Sequence, residues 1–155
     1  MNNMPDRLTE FFNREHIPYQ IILHRRDYTA QETAADTRTP GREFAKTVVV
    51  AVDDGYALAV LPAQAKLDLE ALRQAADARL VRLASEAEIA RLYPDCEVGA
   101  EPPFGNLYGL PVYMSAELEQ DCEITFNAGT HEDAVRVLLS DFERTVHPRV
   151  VRLSR

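Results

Sequence analysis

Cysteine is scarce in this chain, and long apolar runs are absent. The 155 residues include two cysteines, Cys96 and Cys122, without a CxxC pair. This excludes a disulfide framework or a thiolate metal site and fits a reducing compartment. No stretch approaches the roughly 18 apolar residues of a membrane span, and residues 1–5 lack the features of a signal peptide. We expect a cytoplasmic protein with no membrane partner, forming one domain over residues 1–155.

Lysine is the second scarce residue type. Lys46 and Lys66 are the only lysines among 17 basic residues, and the formal net charge is -8. Sequence-blind binding to a nucleic-acid duplex needs many cationic contacts to phosphates, so we expect no DNA partner. An acidic protein can still bind one short single-stranded end.

Several catalytic motifs are missing as well. The sequence has no GxSxG, HExxH, Walker loop or GxGxxG, and its four histidines lack metal-ligand spacing. We expect neither metal nor cofactor. Cys96 as a nucleophile with His131 as its base is one alternative, and an ordinary half-buried thiol is another.

The hydrophobic spacing indicates interspersed helices and strands. Predicted strands cover residues 19–24, 44–52, 56–61, 80–83, 110–114, Glu123–Asn127 and 149–153. Predicted helices are one through Leu8, Phe11 and Phe12, three that begin at Thr29, Asp68 and Ser85, and one that begins at Thr130 and carries Val135, Leu138, Leu139 and Phe142. Because Asp54-Gly55 predicts a hairpin, the fold class is α/β with a mixed, mostly antiparallel central sheet flanked by helices.

Lys46 is the first candidate site residue. It lies between Phe44-Ala45 and the β-branched run Thr47-Val48-Val49-Val50, where an ammonium group would be partly desolvated. Buried lysines are uncommon. The alternative is an edge-strand lysine that points at water.

A long loop contributes the second candidate. Residues 93–109 contain three of the nine prolines and three of the six glycines, and structureless loops beyond about 12 residues are usually functional or disordered. Within it, the stiff stretch from Gly99 to Gly105 can present backbone N–H groups to a developing oxyanion. The alternative is a structural turn that covers the sheet.

The stretch from Asn127 to His131 is the third candidate, predicted to join a strand to a helix. Backbone donors and the positive end of a helix favour carboxylate, phosphate or carbonyl oxygens. Alternatively, Thr130 only caps the helix, and His131 is solvated.

Together these stretches resemble the YbaK family of trans-editing deacylases, which is similar to the editing domain of bacterial prolyl-tRNA synthetases. The resemblance spans nearly the whole chain. It rests on Thr29-Ala30-Gln31-Glu32, Phe44-Ala45-Lys46-Thr47, Leu61-Pro62-Ala63, the GxxxP loop from Gly99 to Pro103, and Asn127-Ala128-Gly129.

The resemblance implies hydrolysis, in trans, of the ester that joins a wrong amino acid to the 3' end of transfer RNA. It admits alanine, cysteine, serine or threonine on proline-specific transfer RNA, with prolyl-tRNA synthetase as a candidate partner. Lys46 and Gly99 take the catalytic positions. The implied substrate-binding residues are Tyr28, Thr47, Ala100, Pro103, Phe104, Gly105, Asn127, Gly129 and His131. The alternative is a non-catalytic binding module for an aminoacyl-nucleotide, a small ligand or a protein.

Overall fold

The computed structural model describes residues 3–23 and 44–154. The predicted helix at Thr29 and the candidate site residue Tyr28 lie outside these ranges. Among the described helices, none is long and apolar enough to cross a membrane.

Helices and strands are interspersed along the described chain, as expected. The helices are α1 (Asp6–Arg14), α2 (Leu69–Ala75), α3 (Glu86–Leu92) and α4 (Leu139–Val146). The strands are β1 (Gln20–Leu23), β2 (Ala45–Val52), β3 (Gly55–Pro62), β4 (Val81–Leu83), β5 (Val112–Ser115), β6 (Glu123–Asn127), β7 (Asp133–Leu138) and β8 (Arg149–Val151). Short 3-10 turns cover Gly105–Leu107 and Ala116–Gln120.

The strands form two sheets rather than the single central sheet that was predicted. Five strands are ordered β4-β2-β3-β5-β8, and three are ordered β1-β7-β6. β2 is antiparallel to β3 and β4, while β5 is parallel to β3 and β8. The smaller sheet is antiparallel throughout. The predicted α/β class with mixed, mostly antiparallel pairing is therefore confirmed.

Local sequence explains the hairpin and two of the helix starts. The β2–β3 hairpin pairs Val52 with Gly55, so Asp53 and Asp54 form its two-residue turn. Asp68 caps α2 by accepting the N–H of Ala71 at 3.1 Å. Ser85 and Glu88 form the predicted capping box of α3.

The main core is organised around a single aromatic ring. Phe104, in the loop after α3, has no exposed surface. Its ring lies 5.2 to 5.7 Å from those of Phe11, Phe12, Phe126 and Phe142. The contacts of Phe104 with aromatic rings of α1, β6 and α4 therefore fix the loop that carries the GxxxP stretch.

The predicted helix from Thr130 is wrong at its start. Residues Asp133–Leu138 form β7, and the helix begins only at Leu139. The Thr130 hydroxyl accepts the N–H groups of Glu132 and Asp133 at 3.1 and 3.0 Å, which are the bonds of a helix cap. Here they close a turn between β6 and β7 instead.

Candidate functional site

A pocket lies where the start of β2 meets β6 and the loop after α3. Phe44, next to β2, forms a parallel bridge with Thr125 of β6, which brings the following residues of both segments together. The cavity has a volume of about 190 Å³. Its described lining consists of Ala45, Lys46, Thr47, Val48, Gly99, Glu101 and Asn127. The structure thus brings together four of the predicted site residues: Lys46, Thr47, Gly99 and Asn127.

Lys46 lies on an interior strand. Lys46 pairs with Leu61 of β3, while β4 pairs with β2 only over Val50–Val52. Val49 and Val50 of β2 belong to two separate core clusters. The Lys46 side chain is half-buried in the pocket wall, and burial lowers the pKa of its ammonium group. Within residues 3–23 and 44–154, no carboxylate forms an ion pair with it. Lys46 therefore lies beyond the part of β2 that pairs with β4, and its side chain lines the pocket.

Gly99 and Glu101 form one hydrogen-bonded unit. The Gly99 N–H donates to Glu101 Oε1 at 2.7 Å, and the Glu101 side chain is only 4% exposed. Burial raises the pKa of Glu101, an effect that its backbone hydrogen bonds partly offset. The Gly99 N–H is therefore engaged by a carboxylate and is not free to bind a carbonyl oxygen. Sequence reasoning missed Glu101 as a pocket residue; its signal was an acidic residue inside the glycine-proline stretch.

His131 contacts the loop that carries Gly99 through both its ring and its backbone. Its ring Nε2 lies 2.9 Å from the Val98 carbonyl oxygen, and its backbone N–H donates to Glu97 Oε1 at 2.7 Å. A Cβ atom at Gly99 would lie 3.1 Å from His131 Cε1. Because a strand follows this turn, the favourable helix N-terminus predicted here is absent from the described structure. His131 is buried against the loop and is not among the residues that line the pocket.

Two polar atoms at the pocket lack partners. Within the described part of the chain, Thr47 Oγ1 and Asn127 Oδ1 are buried and accept no hydrogen bond. Buried polar atoms are normally bonded, and an exception calls for a ligand or a water as explanation. Both residues line the cavity, so they are suited to hold a polar molecule in it.

The other predicted substrate-binding residues that the structure describes lie outside the pocket lining. Phe104 belongs to the core, and a Cβ atom at Gly105 would lie 2.5 Å from the Leu110 carbonyl oxygen. The Gly129 N–H donates to the Ala100 carbonyl at 2.8 Å, which ties the loop to the β6–β7 turn. None of these residues, nor buried Pro103, is part of the described pocket lining.

Cys96 is poorly suited to nucleophilic attack. Burial raises the pKa of its thiol to about 12, so the thiolate is scarce at neutral pH. Its Sγ lies 3.5 Å from the Tyr108 hydroxyl, and it is not among the pocket-lining residues. Among the residues that the structure describes, no cluster of three or more His, Cys, Asp or Glu side chains could hold a metal ion.

Several solved structures share this fold over nearly the full length of both chains. One is described as a candidate trans-editing enzyme for prolyl tRNA synthetase, with 20% identity, 97% of this chain and 96% of that chain covered, and a TM-score of 0.84. Another comes from a computational design study of epitope grafting onto scaffold proteins, with 19% identity, coverage of 97% and 96%, and a TM-score of 0.85. A third is a hypothetical protein with 18% identity, coverage of 96% and 99%, and a TM-score of 0.86. These similarities define the editing-domain fold.

The sequence itself identifies the family. Residues 24–145 match the family described as the aminoacyl-tRNA editing domain. The chain belongs to this family, which confirms the resemblance seen in its motifs. None of the curated proteins matches the chain.

Proposed function

We propose that the chain hydrolyses the ester bond of mischarged aminoacyl-tRNA, in trans and in the cytoplasm. The substrate would be proline-specific transfer RNA that carries alanine, cysteine, serine or threonine, and prolyl-tRNA synthetase is the candidate partner. Membership of the editing-domain family supports editing as the activity. The fold shared with a candidate trans-editing enzyme for prolyl tRNA synthetase supports the choice of transfer RNA.

The observation that carries this proposal is the position of Lys46. Its ammonium group is half-buried in a pocket wall and forms no ion pair with the described carboxylates. An unpaired, partly desolvated cation favours an anionic ligand. The phosphate that precedes the terminal adenosine of transfer RNA supplies such an anion. We therefore assign Lys46 to substrate positioning by charge.

The size of the pocket favours a small acyl group. The pocket has a volume of about 190 Å³. It is smaller than the cavities of about 300 to 1,000 Å³ that enclose whole drug-sized ligands. The aminoacyl group would enter, and the adenosine would remain at the mouth.

The reaction needs no protein nucleophile. Water adds to the ester carbonyl carbon and the bond from that carbon to the ribose oxygen breaks. The ribose oxygen takes up the proton that the water loses, which gives the free amino acid and the ribose hydroxyl. Thr47 Oγ1 and Asn127 Oδ1, which lack partners in the described structure, are suited to accept hydrogen bonds from that water. Positioning contributes much of the acceleration when the attacking group and the ester are held at near-attack distance.

A non-catalytic binding module is the second candidate, and one observation favours it. The Gly99 N–H donates to Glu101 rather than pointing free into the pocket. An oxyanion site needs donors that are free when the negative charge develops. A module that only binds an aminoacyl-nucleotide needs no such donor.

A deacylation screen separates the two candidates. Proline-specific transfer RNA charged with alanine, cysteine, serine, threonine or proline is incubated with the natural protein, Lys46→Ala or Lys66→Ala. Lys66 is the matched control, because it is an exposed lysine that is not part of the described pocket lining. We expect at least one wrong amino acid to be released by the natural protein and by Lys66→Ala, and far more slowly by Lys46→Ala. Release at the spontaneous rate for every charged species would overturn the deacylase proposal in favour of the binding module.

A further inference from the structure

Glu101 is an acidic residue in an environment that opposes its charge. Its side chain is 4% exposed, yet it lines the same pocket as Lys46. Carboxylates are rarely buried unless an opposite charge or several hydrogen bonds hold them. The position of Glu101 therefore requires an explanation.

The described structure satisfies this carboxylate only in part. Glu101 Oε1 accepts the Gly99 N–H at 2.7 Å, and no lysine or arginine of residues 3–23 and 44–154 forms an ion pair with it. Burial keeps the pKa of Glu101 above its ordinary value, because the backbone hydrogen bonds and the nearby His131 offset this effect only in part. A carboxylate has about four lone-pair sites, so it can accept further hydrogen bonds from the pocket side.

The charges of the pocket match those of one class of molecule. Lys46 is a cation without a carboxylate partner in the described structure, and Glu101 is a carboxylate without a lysine or arginine partner there. An aminoacyl ester of a nucleotide carries a phosphate at one end and an α-ammonium group at the other. The two side chains would meet these opposite ends.

We propose that Glu101 binds the α-ammonium group of the esterified amino acid, so that the site accepts free aminoacyl esters and rejects esters whose amine is acylated. This assignment rests on the proposed function, since it takes the aminoacyl group to occupy the pocket. Acylation removes the positive charge and would place a neutral amide against the buried carboxylate. Peptidyl-tRNA would therefore be excluded from the site by its chemistry.

Binding of stable analogues tests the assignment without requiring catalysis. The probes are 3'-alanylamido-AMP and 3'-lactylamido-AMP, which differ only in an amine or a hydroxyl at the α-carbon. Their affinities are measured by calorimetry for the natural protein, Glu101→Gln and Glu97→Gln. Glutamine keeps the size of Glu101 and an acceptor for the Gly99 N–H. Glu97 is the matched control, because it also accepts a backbone N–H at 2.7 Å but is not part of the described pocket lining.

We expect the natural protein and Glu97→Gln to bind the alanyl analogue at least about tenfold more tightly than the lactyl analogue, as for a hydrogen bond to a charged group. Glu101→Gln should lose this preference and bind the lactyl analogue within about twofold of the natural protein. Equal weakening of both analogues would mean that Glu101 only holds the loop, and no preference in the natural protein would also overturn the assignment. If only the deacylase proposal is wrong, the natural protein would still prefer the alanyl analogue but would not hydrolyse the ester.

Discussion

Replacing Gly99 with alanine should destabilise the fold for two reasons, an unfavourable backbone conformation and a close contact with the His131 ring. Gly99 has φ of 94°, a conformation that residues with a Cβ atom rarely adopt. An added Cβ would also lie 3.1 Å from Cε1 and 3.4 Å from Nε2 of the His131 ring. Gly109 provides the control, because its φ is 70° and a Cβ there would meet nothing within 4 Å.

The structure predicts a clear order of cost for these two variants. Left-handed backbone costs a non-glycine residue about 1–2 kcal/mol, and alanine recovers about 0.4–1 kcal/mol by restricting the unfolded chain. Gly109→Ala should therefore destabilise by about 0 to 1.6 kcal/mol. Gly99→Ala departs further from the left-handed well and displaces the ring, so about 2–3 kcal/mol is expected.

Urea unfolding of both variants measures these costs, with an unchanged slope showing that only stability has altered. The difference corresponds to a melting temperature lower by about 2–4 °C per kcal/mol in a chain of this size. Gly99→Ala should also slow deacylation, because the displaced ring loses its contact with the Val98 carbonyl. Equal stability of the two variants would refute the packing of His131 against Gly99.

Four further predictions concern charge, reactivity and the core. Burial raises the pKa of Glu101, so Glu101→Gln should stabilise the fold at neutral pH and lose this advantage as the pH falls through that raised pKa. Hydrogen bonds from Arg82 and others lower the pKa of Glu88, so Glu88→Gln should destabilise at neutral pH and matter progressively less below the ordinary glutamate pKa; unfolding curves at about pH 7 and about pH 3 measure both signs. Cys96→Ala should leave the deacylation rate within about twofold in a single-turnover assay, since a thiol with a pKa of about 12 is no nucleophile at pH 7. Phe104→Ala should cost about 3–5 kcal/mol in urea unfolding, and a cost under about 1 kcal/mol would contradict its central place in the core.

Local patterns were enough to predict most of the fold. The valine run of β2, the β2–β3 hairpin and the cap at Asp68 each depend on neighbouring residues, and the structure contains all three. The hairpin was predicted at Asp54-Gly55, and its turn lies one residue earlier, at Asp53 and Asp54. The predicted helix start at Thr130 was wrong because Thr130 makes the same backbone hydrogen bonds in a turn as in a helix cap. Val135 and Val137, β-branched and alternating, indicate the strand, but helical spacing also fitted the residues that follow.

The site was harder to predict than the fold, because it depends on long-range contacts. Lys46 was identified by its place in an apolar run, which a single strand determines. The burial of Glu101 arises instead from the loop packing against β6 and the β6–β7 turn, and no local pattern encodes that contact. The pairing of the Gly99 N–H with Glu101 was invisible for the same reason.

The most direct test of the central claim, that the Lys46 charge positions an anionic RNA end, is a single-turnover cycle with two esters. 2'(3')-O-alanyl-AMP and 2'(3')-O-alanyl-adenosine differ only in the phosphate, and each is hydrolysed by the natural protein and by Lys46→Ala. The natural protein should act on the phosphorylated ester about tenfold faster or more, as for a charge-assisted contact, and Lys46→Ala should show no preference. An unchanged preference for the phosphorylated ester in Lys46→Ala would contradict the account.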